Sequence, residues 1–338
     1  MRVAIRADAS AKIGSGHVMR CLTLADELAG RGAQIIFLTQ DTIGALADRI
    51  CLRGHECLLL PDNTPESTAR RLAAIRPDWL IIDHYGCDAD WEACQRPYAG
   101  RILVIDDQAD RKHDCDGLLD QNLHHDPAAR YQSLVSPLCH MLLGPSYALL
   151  AERFVQFRMQ RNPSGAVQNV LVSFGGSDPT GETLKLLPEF VLALPDLHWH
   201  AVVGGLCPQL AEIRRLGETH AALTVHADID YMPELMQTCD LFVGAGGATT
   251  WERACLGLPS IVAAVSDNQE ALSDSFARTG AQIYLGRASG LQAEQWIHAI
   301  RMLCQDDAMR SCLCAKSMAC VDGYGVRRVA DFLMEGCA

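Results

Sequence analysis

Arg6-Ala7-Asp8-Ala9-Ser10-Ala11-Lys12-Ile13-Gly14-Ser15-Gly16-His17-Val18-Met19-Arg20-Cys21 is the stretch that decides how this chain is read. It follows a short apolar run, Val3-Ala4-Ile5, the pattern of a first strand. Two glycines then deliver a histidine to the start of an amphipathic helix. Val18, Cys21, Leu22, Ala25, Leu28 and Ala29 keep the i, i+3/i+4, i+7 rhythm of that helix. Near a helix N-terminus, unpaired N–H groups and the dipole favour negative charge and disfavour an imidazolium. His17 is therefore expected to be neutral at pH 7 and able to take a proton from water. Known phosphate loops fit poorly. Gly14-Ser15-Gly16 lacks the Gly-Lys-Ser/Thr ending of a P-loop, and Met19 stands where a dinucleotide fingerprint needs its third glycine.

The chain has 338 residues, a length that suggests two domains. With 29 basic and 41 acidic residues its net charge is −12, which argues against an electrostatic nucleic-acid binder. No apolar run approaches the ~18–20 residues that span a bilayer. The N-terminus carries Arg2, Arg6 and Asp8 rather than a secretory signal, so a cytoplasmic location without membrane attachment is expected. The fifteen cysteines are scattered and read as reduced, small core residues. No Cys or His spacing suits zinc, so neither a metal nor a cofactor is expected.

Strand-like and helical segments alternate throughout. Strands are expected at Val3–Ile5, Ile35–Thr39, Cys57–Leu60, Trp79–Asp83 and Ile102–Ile105, with short ones at Leu118–Leu119 and Met141–Leu143. Helices are expected at 18–30, 44–53, 65–75 and 89–99. The second half restarts with strands at Val170–Phe174, His200–Val203, Leu223–Val225, Leu241–Val243, Ser260–Ala264 and Ile283–Leu285. Such alternation means βαβ units and parallel sheets. The fold class expected is α/β: two doubly wound, Rossmann-like domains facing across a cleft, with ligands beyond the carboxyl ends of the strands. The boundaries expected are 1–153 for a sugar and catalytic domain, a polar linker at 154–166, and 167–338 for a nucleotide domain. The last helix is free to pack back on the first domain.

Several strand ends carry candidate chemistry. Phe174-Gly175-Gly176-Ser177-Asp178-Pro179 joins a strand to a helix with two glycines, N-cap candidates and a first-turn proline. It reads equally as a diphosphate cradle or as a glycine turn without a ligand. Gly244-Ala245-Gly246-Gly247-Ala248-Thr249-Thr250-Trp251-Glu252 repeats the pattern. Glu252 there is either an acceptor for two ribose hydroxyls or an N-terminal acid favoured by the helix dipole. Ser266-Asp267-Asn268-Gln269 follows the next strand and by itself is a helix cap. Asp83-His84-Tyr85-Gly86 and Asp106-Asp107-Gln108 end two strands of the first half, where each is a binding loop or a capped turn. His113, His124 and His125 lie in polar sequence and are expected to be solvated.

Taken together, Arg6–Ser10 with Ile13–Arg20, Asp83–Gly86, Phe174–Asp178, Gly244–Glu252 and Asp322-Gly-Tyr-Gly-Val-Arg-Arg-Val resemble the UDP-sugar hydrolases of pseudaminic acid biosynthesis. Those enzymes act on UDP-2,4-diacetamido-2,4,6-trideoxy-β-L-altropyranose and are related to inverting GT-B glycosyltransferases. The resemblance runs from residue 3 to about residue 329. It implies that His17, the match to the family's essential histidine, is the catalytic base. It implies a UDP-sugar as the small-molecule partner: uracil on Ile229 and Met232, ribose on Glu252, and diphosphate on Gly175, Gly176, Ser177, Gly246, Gly247, Ala248 and Thr249. Asn268 and Gln269 come near the sugar and nucleotide. Gly14, Gly16 and Tyr85 complete the substrate contacts. Asp8 is the position expected to orient His17, and Asp106 and Asp107 are candidates to assist.

Water activated by His17 would attack the anomeric carbon opposite UDP, with inversion. UDP leaves readily once its charge is held, and helix N-termini can hold it without a metal. The alternative is an inverting GT-B transferase that uses UDP-N-acetylhexosamine and an acceptor alcohol. The first half shows no apolar or basic patch suited to a lipid-linked acceptor. A UDP-sugar-binding protein without activity would not need His17 after the first strand. A nicotinamide dehydrogenase lacks its third glycine here. The oligomeric state is not written in the sequence.

Overall fold

The structure, a computed structural model, describes residues 1–10, 14–42, 46–158, 160, 165–247 and 249–335. It divides into two compact units: Met1–Ala151 with the stretch from Gly323 onward, and Glu152–Asp322.

The first unit is built on seven strands: β1 (Arg2–Ala7), β2 (Gln34–Gln40), β3 (Glu56–Leu60), β4 (Trp79–Asp83), β5 (Arg101–Ile105), β6 (Gly117–Asp120) and β7 (His140–Leu143). All pair in parallel, in the order β3-β2-β1-β4-β5-β6-β7. Strands of a parallel sheet are buried on both faces and read as continuous apolar runs, which is why Val3–Ile5 and Leu80–Ile82 stand out in the sequence. The chain winds outward in opposite directions on either side of β1 and β4, so their boundary is the topological switch point. There the register sets Ala7 opposite Asp83.

The helix Gly16–Gly30 buries Val18, Cys21, Leu22, Ala25 and Leu28, which pack with Val3, Ile5, Trp79 and Ile81 of the sheet. The same core takes Val326, Val329, Ala330 and Leu333 from the helix Gly325–Glu335. Trp79 is wholly buried, and its Nε1–H donates to the Leu333 carbonyl at 2.9 Å. Gly325 starts this helix because nothing larger fits: a Cβ there would lie 2.4 Å from the Ala148 carbonyl oxygen. Gly325→Ala is expected to cost about 1–3 kcal/mol. Amide exchange should accelerate along Gly325–Glu335, and unchanged protection there would show that the backbone yields without cost.

The second unit has six parallel strands: β8 (Asn169–Ser173), β9 (His198–Val203), β10 (Leu223–Ala227), β11 (Leu241–Ala245), β12 (Ser260–Ala264) and β13 (Ile283–Arg287). Their order is β10-β9-β8-β11-β12-β13, with the switch point between β8 and β11. Ser173 pairs with Gly244 at that point, and a Cβ on Gly244 would sit 1.9 Å from the Ser173 carbonyl oxygen.

Two expected segments differ. The helix expected at 89–99 ends at Ala93. Pro97 offers no N–H and disfavours a helical Arg96, so the chain continues in turns. Residues 154–158 of the expected linker belong to the helix Glu152–Arg158, part of the second unit. Arg158 anchors it by donating to the carbonyls of Cys255, Met318 and Val321. Residues 159 and 161–164 of that linker lie outside the described residues.

Candidate active site

His17 stands in the first turn of the helix Gly16–Gly30, just beyond the β1/β4 switch point. The approach turns on Gly14, whose φ of 83° is one that favours glycine. Ser15 precedes the helix without a side-chain cap, and the first turn carries no acid. The His17 ring is nearly buried, and its Nδ1 lies 2.5 Å from Asp83 Oδ1. Asp83 is fully enclosed. Arg20, one turn after His17, binds it twice, Nε to Oδ2 and Nη2 to Oδ1, each at 2.6 Å. Burial opposes ionisation of Asp83, but the Arg20 guanidinium and His17 outweigh it and hold the carboxyl well below the usual range.

A carboxylate fixed on Nδ1 selects the tautomer that carries its proton there. Nε2 of the neutral ring is then the basic atom, and it has no hydrogen-bond partner among the described residues. His84, on the neighbouring loop, is arranged oppositely. Its Nδ1 accepts from the Gly86 N–H at 3.0 Å, and its Nε2 lies 3.2 Å from Asp8 Oδ2. Both of its nitrogens are occupied, so it is no free base.

The expectation that Asp8 orients His17 is corrected by these contacts. Asp8 accepts from both Arg6 Nη atoms, from Thr39 Oγ1 and from the Gln40 N–H. It neutralises buried Arg6, while the acid on His17 is Asp83, brought in by β4. Tyr85 sets its ring edge-on to His17 at a centroid distance of 4.7 Å, and its hydroxyl donates to Asp107 Oδ1 at 3.0 Å. Burial, seconded by Asp107, pushes its phenol up. Arg20 Nη1 reaches Asp107 Oδ2 at 3.3 Å, so one guanidinium ties both acids. Asp106 instead accepts from the Ala109 N–H and from the Tyr131 hydroxyl, a structural task. His113 is also structural and not solvated: it is buried with Nδ1 2.7 Å from Glu92 Oε1. His124 is half-buried against Asp120, and only His125 is exposed.

In the second unit the remaining candidates line the carboxyl edge of the sheet. Gly175, with φ 104°, and Gly176 are exposed after β8, and Ser177 is half-buried. The Gly176 carbonyl accepts from the Gly204 N–H at 2.7 Å. The helix expected to start at Asp178-Pro179 begins only at Glu182. Asp178 folds back and accepts from the N–H groups of Glu182 (3.1 Å) and Thr183 (2.9 Å). That helix N-terminus is therefore already filled by a carboxylate and offers an anion nothing there; the exposed Gly175–Ser177 backbone remains. Asp178→Ala is expected to destabilise the second unit by about 1–2 kcal/mol. A melting curve unchanged from the parent would rule the cap unimportant.

The other glycine loop is better placed for an anion. Gly246 is packed so tightly that a Cβ would fall 2.0 Å from Ser273 Oγ, and a Cβ on Gly247 would lie 3.3 Å from Gln269 Nε2. Gly246, Gly247 and Gln269 thus converge, beside two helix starts, Thr249–Leu256 and Asp267–Arg278. Ser266 precedes the latter without capping it; its hydroxyl donates to Asn268 Oδ1, and Gln269 Oε1 accepts from the Val265 N–H. Thr249 and Glu252 are half-buried, and Ala248 lies outside the described residues. Burial pushes the Glu252 carboxyl up to about 7 against the opposing charge of Arg253. Arg253 itself is buried over the Phe242 ring and donates to Thr250 Oγ1. Ile229 and Met232 follow β10, both half-buried. Their loop is pinned by Asp228, which has φ 52° and accepts from the Gly205 N–H at 2.6 Å.

Among solved structures the chain matches MurG of Acinetobacter baumannii with a TM-score of 0.68, at 15% identity over 99% of each chain. It matches the glycosyltransferase of kitacinnamycin with a TM-score of 0.67, at 18% identity over 100% of this chain and 99% of that one. The fold is GT-B. No family model matches the sequence. Over 288 residues it is 26% identical to the UDP-2,4-diacetamido-2,4,6-trideoxy-beta-L-altropyranose hydrolase of Campylobacter jejuni, covering 84% of this chain and 98% of that enzyme. It is 25% identical over 339 residues to the spore coat polysaccharide biosynthesis protein SpsG of Bacillus subtilis, covering 99% and 98% of the two. An uncharacterized Methanocaldococcus jannaschii protein is 26% identical over 294 residues, and the chain spans 60% of its length. The resemblance carried by the motifs is thus found along most of the sequence. Among the described residues no helix is long and apolar enough to cross a membrane.

Proposed function

We propose that this protein hydrolyses a UDP-linked 2,4-diacetamido-2,4,6-trideoxyhexose of the L-altrose type to the free sugar and UDP, in pseudaminic acid biosynthesis. One observation carries the reading: His17 is held through Nδ1 by Asp83, which leaves Nε2 without a partner among the described residues, at a sheet switch point. Nε2 takes a proton from water as the water oxygen bonds to C1. The C1–O bond to UDP breaks on the opposite face, and its electron pair leaves with the diphosphate. Configuration at C1 inverts. The resulting imidazolium donates through Nδ1 to Asp83, whose charge is already fixed by Arg20. The loops of the second unit hold the nucleotide, with the diphosphate on the Gly246–Gly247 side, the ribose on Glu252 and the uracil on Ile229 and Met232. Sequence identity to the Campylobacter hydrolase supports the substrate class.

The fold shared with the glycosyltransferase of kitacinnamycin leaves room for a second reading, transfer of the sugar to an acceptor alcohol. Incubation with a panel of UDP-sugars in ¹⁸O-water separates the two. Hydrolysis without any acceptor, with label on the C1 hydroxyl and none in UDP, is the expected result. Label in UDP would mean attack at phosphorus, and no free sugar without an added alcohol would favour transfer.

A further inference from the structure

The first unit carries, beside His17, a cavity of about 190 Å³ lined by Asp8, His17, Asp83, His84, Tyr85 and Gly86. By residue name this wall is polar, but its side-chain polar atoms are spent elsewhere. Both oxygens of Asp8 are taken by Arg6, with Thr39, Gln40 and His84 completing the shell. Both oxygens of Asp83 are taken by Arg20, and one also by His17. His84 is engaged at each nitrogen, and the Tyr85 hydroxyl is turned onto Asp107. Among the described residues, the one side-chain polar atom of this wall without a partner is His17 Nε2. Apart from that nitrogen, the side chains of this wall offer a guest ring faces and C–H edges.

We infer that this cavity is a subsite for a methyl-terminated substituent of the glycosyl unit, a deoxy carbon or an acetamido methyl, and that it discriminates against the hydroxylated counterpart. The inference takes its substrate from the hydrolase reading and its chemistry from the cavity wall alone. A hydroxyl pressed into the cavity leaves water and, among the described side chains of this wall, meets no free donor or acceptor to match the catalytic nitrogen. Leaving one polar group unpaired in this way separates otherwise identical ligands by about tenfold or more.

Two matched pairs of UDP-sugars test this. UDP-N-acetylglucosamine is set against its 6-deoxy analogue, and against its N-glycolyl analogue, which adds one hydroxyl to the acetyl methyl. In at least one pair the methyl-bearing member is expected to have the higher kcat/KM, by about tenfold or more. The pair that responds says which substituent enters. Equal values in both pairs overturn the subsite. Where no member is cleaved, affinities measured by calorimetry decide in the same way. His84→Ala should uncover the Asp8 carboxylate and narrow the preference, provided its melting temperature stays near that of the parent.

A last arm needs no sugar, so the subsite and the hydrolase reading fail separately. Xenon enters apolar cavities of comparable size, and here it would displace any water resting against His17 Nε2. Under xenon pressure the ring resonances of His17 and Tyr85 are expected to shift in a saturable way, and unmoved resonances overturn the apolar character of the cavity.

Discussion

His17→Ala is expected to lower turnover of the UDP-sugar by about 10²–10⁴-fold, the usual worth of a positioned general base. Affinity for UDP should stay within about twofold, because the nucleotide is assigned to the second unit. Asp83→Asn is expected to fall into the same range, although the imidazole is intact. Arg20 would still demand an acceptor from residue 83, so the new amide would turn its N–H₂ toward His17 Nδ1. The ring would then have to accept there and carry its proton on Nε2, the atom that must take one from water. The double variant should be scarcely slower than His17→Ala alone, since the two residues act as one unit. Steady-state rates on the three variants, with UDP binding measured in parallel, check this. An Asp83→Asn enzyme within about threefold of the parent would separate Asp83 from the chemistry.

How much of this site could be read beforehand depended on whether its residues were neighbours in sequence. Gly14, Gly16 and His17 follow β1 directly, and a strand, a glycine turn and an amphipathic helix are local patterns. The strands of both sheets were readable for the same reason, being apolar runs hidden on both faces. Asp83 was visible as the end of a strand, but its pairing with His17 spans 66 residues and depends on β4 lying beside β1. Nearness in sequence favoured Asp8 instead, and buried Arg6, two residues away, had the stronger demand on it. Arg20 carries a signal that could have been used: it lies three residues after His17, on the same helix face. Asp178 caps the helix Glu182–Ala193 as its sequence suggests, but the helix starts later than Pro179 indicates, because Asp178 reaches it across a turn with a left-handed residue at each end, Asp178 and Gly181. The sequence around His113 reads as solvated because nothing local marks Glu92, its partner from 21 residues upstream.

Glu252→Gln should move stability and binding in opposite directions. Burial raises the carboxyl of Glu252 from an ordinary 4.5 to about 7. The folded chain therefore holds this proton more tightly than the unfolded chain, and stability falls as pH rises between those two values. Below them the carboxyl is neutral in both states and carries no penalty. Above about pH 7 the whole penalty, about 1–3 kcal/mol, is present. Glutamine removes it, so the variant should melt roughly 2–10 °C higher than the parent at pH 8. At pH 4 the two should melt together. The same carboxylate, only partly offset by Arg253, is what two ribose hydroxyls would satisfy, and an amide offers them one acceptor in place of two charged ones. UDP-sugar affinity at pH 8 is expected to drop by about 10–100-fold. In the parent, affinity should weaken as pH falls through 7, because only the ionised carboxylate accepts both hydroxyls; in the variant it should be flat. A UDP-sugar rather than UDP is the ligand for this titration, since its phosphates are diesters that do not change charge in the window. A variant no more stable than the parent at pH 8, with affinity unchanged, would remove Glu252 from the nucleotide site and return it to the role of a helix-start acid.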